Sequence, residues 1–257
     1  MTKKPTMHIA SCSFGKDSIA TILLALENNE PLDRVVFAEV MFDHSKGISG
    51  EIPEHIEWIY NTAIPKLEGM GVNVDVVRSD KDYVSLFRQC RRGGKFKGKL
   101  YGFPIGGRCV INRECKINPI HRYYKQYKDC EIIQYVGIAQ DEPIRLARLK
   151  ANQISLLKKY GYTEDMAMQK CKEYNLVSPI YTTSSRGGCW FCMNSKLSGY
   201  LHIRNNHHEL WAQLRDLSKT ENLCSYGFKY GKTLAEVERK MDAIEWEKHQ
   251  QVHPAPL

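Results

Sequence analysis

Short apolar runs alternate with stretches of helical period through the first half of the chain, and this alternation restricts the fold more than any other feature. Residues 7–12, 34–42, 72–77 and 132–138 read as strands. The second of these is apolar along most of its length, as expected where both faces of a sheet are covered. Between them, residues 18–26 read as a buried helix, and from about Pro53 the positions Ile56, Ile59, Tyr60, Ala63, Ile64 and Leu67 recur at helical spacing. Shorter helices are expected over residues 83–90 and 117–127. Strands that alternate with helices predict a parallel sheet joined by right-handed crossovers.

Beyond this alternation the pattern loosens. Residues 91–108 are rich in Gly, Lys and Arg and read as a long functional loop. The chain reads as helical from Asp141 to about Lys159, and Thr163 is a good N-cap for a helix reaching Tyr174. Residues 178–188 read as irregular, and two tail helices are expected over 207–218 and 233–249. At 257 residues one sizeable core is the working expectation, divided as residues 1–195, an α/β nucleotide-binding part with cysteines, and 196–257, a helical extension. No stretch reaches membrane-spanning length, and the N-terminus lacks the apolar core of a secretion signal. The expected location is the cytoplasm, with no membrane partner. A formal charge of +8 favours a phosphate-bearing ligand or partner. Nine cysteines in a chain of this size without a secretion signal point to metal or redox chemistry rather than disulfides.

The most specific local signal is Ser13-Phe14-Gly15-Lys16-Asp17-Ser18, between the first strand and the first helix. A helix start there offers unpaired N–H groups to an anion, the two serines add hydroxyls, Gly15 lets the backbone approach, and Lys16 adds a cation. The Walker A spacing is absent. The hexapeptide resembles the S-x-G-x-D-S loop of the PP-loop superfamily, the adenine nucleotide alpha hydrolases. That resemblance implies a Rossmann-like (HUP-type), mainly parallel five-stranded sheet with helices on both faces. It also implies ATP cleaved between its α and β phosphates with Mg²⁺, or an adenosine phosphosulfate in the same cradle. Gly137-Ile138-Ala139-Gln140-Asp141-Glu142-Pro143-Ile144-Arg145 resembles the G-x-x-x-D-E-x-x-R segment of the phosphoadenosine phosphosulfate reductase branch. On that likeness Asp141 and Arg145 join Lys16 and Asp17 as candidate catalytic groups, and Gly137, Arg145, Arg148 and Arg186 join the loop as nucleotide contacts. The alternative for Arg145 is a helix-face ion pair with Glu142.

Cys189 and Cys192 form a C-x-x-C pair after two glycines, and Cys109 and Cys115 lie upstream. Four sulfurs suffice for a zinc or iron–sulfur site. Iron–sulfur adenosine phosphosulfate reductases and the related DNA phosphorothioation sulfurtransferases have a similar layout, which favours [4Fe–4S] over Zn²⁺, although five residues separate the upstream pair here. The tail lacks the nucleophilic cysteine of sulfonucleotide reductases, and Cys224 reads as a buried apolar filler, so sulfur transfer or substrate activation is expected in place of reduction. Asp43 and His44 fall where family members contact the nucleotide. Cations beside rings in residues 91–101 and 121–128 suit either nucleic-acid binding or a loop over the nucleotide and an ordinary amphipathic helix. A sulfur-donor protein is a further expected partner. His207-His208 reads as surface decoration.

Overall fold

The computed structural model describes residues 4–104, 109–182 and 187–252. Strand β1 (Thr6–Ser11) runs through the serine-glycine loop into α1 (Lys16–Glu27), and β2 (Arg34–Glu39) follows. The single strand expected over residues 34–42 is divided. Val40 uses its carbonyl to accept the Gly50 N–H at 2.7 Å, so the chain changes partners and β3 (Met41–Asp43) pairs antiparallel with β4 (Ile48–Ser49).

The next helix comes in three pieces: α2 (Pro53–Trp58), a π turn (Ile59–Ala63) and α3 (Ile64–Gly69). After β5 (Val74–Arg78) and α4 (Tyr83–Phe87), the same device returns as a π turn (Asn112–Ile117) leading into α5 (Asn118–Tyr124). Each π turn runs into a proline at the start of the following helix, Pro65 or Pro119. Proline has no N–H, and its ring crowds the carbonyl four residues back, so a widened turn relieves the clash.

Strand β6 (Glu131–Val136) comes next. The long helix expected after Asp141 is absent: α6 (Pro143–Leu146) is one turn, β7 (Gln153–Ile154) pairs with β6, and Ser155 caps α7 (Leu156–Lys159) by accepting the Lys158 N–H. Gln153 instead donates its side-chain amide to Gln134 at 2.7 Å, which ties the segment to the sheet. Thr163 caps α8 (Glu164–Glu173) as expected. A 3₁₀ turn (Pro179–Thr182) follows, then α9 (Leu197–Asn206), α10 (His208–Ser218) and α11 (Leu234–Val252).

The five-stranded sheet is parallel throughout, in the order β5-β2-β1-β6-β7. Successive residues of β2 serve opposite faces, as the pleat requires. Val35 and Phe37 join α1, α7 and α8 in the larger core, whereas Val36 faces Tyr123 and Ile120 of α5. Helices therefore cover both sides. A second core gathers Val40 and Phe42 with Tyr83, Trp190, Phe191, Tyr200, Trp211 and Met241. Residues on both sides of position 195 contribute to it.

The described part of the 91–108 loop is docked rather than free. Leu100 bonds to Asn222 and Cys224, and Gly102, at φ +76°, lies so close to the Ser225 carbonyl that a β-carbon would stand 2.3 Å from it. Cys224 is half-buried at this seam and is not the buried filler expected.

Candidate functional site

Strand order reverses between β1 and β6, and in an open parallel sheet such a point leaves a crevice beyond the strand ends. A cavity of about 380 Å³ occupies it, lined by the β1 end and its loop (Ser11 to Ser13, Gly15, Asp17, Ser18), by Gly137 after β6, by Lys116 and by Arg145. Phe14 takes φ +56° and is buried edge-on against Phe37, which anchors the loop from below. The Ser18 hydroxyl donates to the Gly15 carbonyl and accepts the Ser13 N–H, so it braces the loop from within. Gly137 lies directly against the start of α1: a β-carbon there would meet Ser18 N at 2.7 Å and the Asp17 carbonyl carbon at 2.8 Å. Asp17 and Ser18 precede the first backbone bond of α1, from Ile19 to Gly15, so their N–H groups belong to the helix start that attracts anions. Beneath the loop, burial pushes the Cys12 thiol up to about 11, which keeps it neutral.

Several expected contacts lie elsewhere. The Lys16 ammonium pairs with Asp17 at 2.7 Å and Glu164 at 3.1 Å. Burial opposes its charge, but the two carboxylates hold it above its ordinary value. Asp141 accepts the Glu164 N–H at the start of α8 and does not line the cavity. Arg145 does line it and is bonded to Glu142 at 2.5 Å, the helix-face ion pair given as its alternative. Arg148 is exposed and away from the cavity lining. Asp43 spends its carboxylate on the Ser45 N–H and hydroxyl in a tight turn, and the Ser45 hydroxyl holds its pKa below the ordinary value despite burial. Arg186 lies outside the described residues.

Three residues that were not among the expected site residues support the loop or line the cavity. Tyr181 accepts the Lys16 N–H at 2.7 Å. His55, kept neutral by burial, lies 2.8 Å from the Ser178 hydroxyl and 3.2 Å from the Ser13 carbonyl. Lys116 pairs at 3.2 Å with the buried Glu51. Burial works against the Lys116 charge, but Glu51 and the nearby Cys189 and Cys192 hold its pKa up. The sequence signal for Lys116 was its place in the segment Cys115-Lys116-Ile117-Asn118-Pro119, whose lysine and proline spacing loosely matches a K-x-x-P pattern.

Lys116 also lines a second cavity, of about 700 Å³, with Cys109, Cys189, Cys192 and Tyr83. Three of the four expected metal ligands thus share one chamber. Cys115 does not line it: its thiol donates to the Lys81 carbonyl at 3.4 Å, and burial pushes it up to about 12. Cys115 is buried in the core, while the next residue, Lys116, lines both cavities. Burial raises the Cys189 thiol, with Lys116 opposing. The Tyr83 hydroxyl is buried without a hydrogen-bond partner among the described residues and sits within electrostatic range of Cys109, Cys189 and Cys192. A donor stranded beside three thiols fits a sulfur-rich group that would accept its proton. Among the described residues no three cysteine sulfurs lie within 4.8 Å of one another.

Fold and site together define a doubly wound α/β protein with a cavity at its switch point, lined by a helix-start loop, and a thiol-lined chamber beside it. No family model matches the chain, and no curated protein matches it. Among solved structures it is similar to the U34-tRNA thiolase NcsA from Methanococcus maripaludis with its [4Fe-4S] cluster, at 17% identity, over 94% of this chain and 82% of that one, with a TM-score of 0.43. No helix among the described residues is long and apolar enough to cross a membrane.

Proposed function

We propose that the chain is a PP-loop-type enzyme that binds ATP or an adenosine phosphosulfate in the β1–α1 cradle and activates an acceptor or transfers sulfur to it. The observation that carries this reading is Lys116, which lines both the cradle and the thiol chamber. A cation shared by the two cavities can neutralise phosphate on one side and stabilise thiolate or sulfide on the other. The N–H groups at the start of α1, with Arg145, would hold the phosphates, and Asp17 would orient Mg²⁺ or the loop. In adenylation an acceptor oxygen takes the α-phosphate, pyrophosphate leaves, and an incoming sulfur nucleophile then displaces AMP together with that oxygen.

Cys109, Cys189 and Cys192 would hold an iron–sulfur cluster, which when bound supplies a thiolate-ligated iron site for sulfur chemistry. Tyr83 would donate to it, and Lys116 would offset its negative charge. The net charge of +8 supports a polyanionic acceptor such as nucleic acid, served by a sulfur-donor protein. The test is anaerobic reconstitution, followed by iron and sulfide analysis and calorimetric titration with Mg·ATP and with adenosine phosphosulfate. A broad brown absorbance lost in Cys189→Ala or Cys192→Ala is expected, along with nucleotide binding weakened at least about tenfold in Lys116→Ala. Absence of nucleotide binding overturns the reading, and a colourless protein with one zinc overturns its iron–sulfur part.

A further inference from the structure

Away from the cradle, Glu54, His202 and His207 bring three ligand atoms within 4.8 Å of one another. Glu54 Oε1 lies 2.8 Å from His202 Nε2 and 3.0 Å from His207 Nε2. We propose that these residues form a binding site for a borderline divalent cation, of which Zn²⁺ is the natural occupant. Two imidazoles and a carboxylate are a zinc donor set that leaves a fourth position for water.

The backbone is built in a way that makes the set converge. On an unbroken helix, residues five apart point about 140° away from each other. Here α9 stops at Asn206, and His207, at φ −135°, serves as both the end of α9 and the start of α10. That break brings the His202 and His207 rings to 5.7 Å, with both facing Glu54 in the first turn of α2. His207 is therefore not surface decoration: its side chain is 17% exposed, and that of His202 is 19%.

The hydrogen bonding leaves the carboxylate incompletely used. Both Nε2 atoms approach the same oxygen, while Glu54 Oε2 is shut off from solvent and has no hydrogen-bond partner among the described residues. A cation among the three groups would take the lone pairs of both rings and draw on the idle oxygen. Tetrahedral coordination at about 2.05 Å separates ligand atoms by about 3.3 Å, so the two contacts between Glu54 and the rings, at 2.8 and 3.0 Å, need lengthen by only a few tenths of an ångström. Asn206 donates its amide to the His202 carbonyl at 2.9 Å and lies 3.2 Å from His202 Nδ1, which fixes the His202 ring from its far side. His202 also lines a cavity shared with Cys189 and Cys192. The ion would stand at the wall of that space and fasten the α9–α10 junction to α2.

Cobalt(II) titration of the full-length protein under anaerobic conditions tests the proposal without reference to nucleotide binding or sulfur transfer. Nitrogen and oxygen ligands give ligand-field bands without sulfur-to-cobalt charge transfer, which distinguishes this site from the thiol chamber. One such ion per chain is expected, displaced by an equivalent of Zn²⁺ and lost in His202→Gln/His207→Gln. Equal ion uptake and identical spectra for the two proteins would overturn the proposal and leave only a hydrogen-bonded cluster. A second measurement on the wild-type chain avoids any folding defect in the variant: Zn²⁺ should protect His202 and His207 from acylation by diethyl pyrocarbonate at least tenfold, and unchanged modification would equally overturn it.

Discussion

Gly137 sets the closest approach in the cradle, and its tightness is backbone against backbone, so no rotamer change can relieve a substitution there. Gly137→Ala is expected to push β6 away from the start of α1 and weaken ATP binding by more than about tenfold, or about 1.4 kcal/mol. Calorimetry measures this, and unchanged affinity would move the nucleotide out of the cradle. Asp17 offers a test through pH. Burial raises its carboxyl above the ordinary 3.8 despite Lys16. The folded chain then holds a proton more tightly than the unfolded chain, so stability falls as pH rises from 3.8 through the raised value and stays lowered above it. Asp17→Asn should therefore raise the thermal midpoint near neutral pH, weaken Mg·ATP binding, and lose its stability advantage below pH 3.8. Lys16 keeps Glu164 as a partner in that variant. Coincident midpoints at neutral pH would reject the argument. Ser13 to Ser18 could be found because a strand-to-helix loop is local in sequence. The destinations of the Lys16 and Asp43 side chains could not, because Glu164 lies far along the chain from Lys16, and Ser45 competes locally for Asp43.

At the scale of elements, the long apolar strands and the capped helix α8 were legible because their signals are periodic and contiguous. Helix α9 was missed: Leu197–Asn206 contains Gly199 and two terminal asparagines, has no side-chain cap, and hides its only strong pattern in Tyr200, Leu201 and Ile203. The two-residue strand β7 carries too little sequence to stand out, and it exists because β6 offers it an edge. The prolines behind both π turns were visible, but the places of Cys115 and Lys116 depend on what each side of the turn meets. Because the 90–104 segment is tied to residues 222–225 and not to the cradle, nucleotide addition should slow amide exchange in residues 13–19 and 137–140 and leave 90–101 unchanged. Hydrogen-exchange mass spectrometry reads both segments at once, and protection of 90–101 would instead mean that the loop closes over the ligand.

Among the described residues the buried apolar side chains form three clusters, and the second draws on α4, Trp190 and the C-terminal helices together. A chain ending at residue 195 would lose Tyr200, Trp211, Leu214 and Met241 from around Trp190 and Phe191. It should show native-like far-UV but depleted near-UV circular dichroism, the mark of lost packing. In the intact chain Trp211→Ala should cost about 3 to 5 kcal/mol in denaturant unfolding, since that ring is 1% exposed. A cost below 1 kcal/mol would mean that the C-terminal helices are only loosely attached. Hydrophobic period, helix caps and the serine-glycine loop determined from the sequence alone that the chain would build a parallel α/β sheet with a tight turn leading into its first helix, because each depends on neighbours a few residues away. Only the tertiary structure decided that Cys109 joins Cys189 and Cys192 while Cys115 turns inward, that Lys116 spans two cavities, and that His202 and His207 meet Glu54. Those outcomes depend on where distant segments come to rest, which is settled by packing and by the breaks in helices rather than by spacing along the chain.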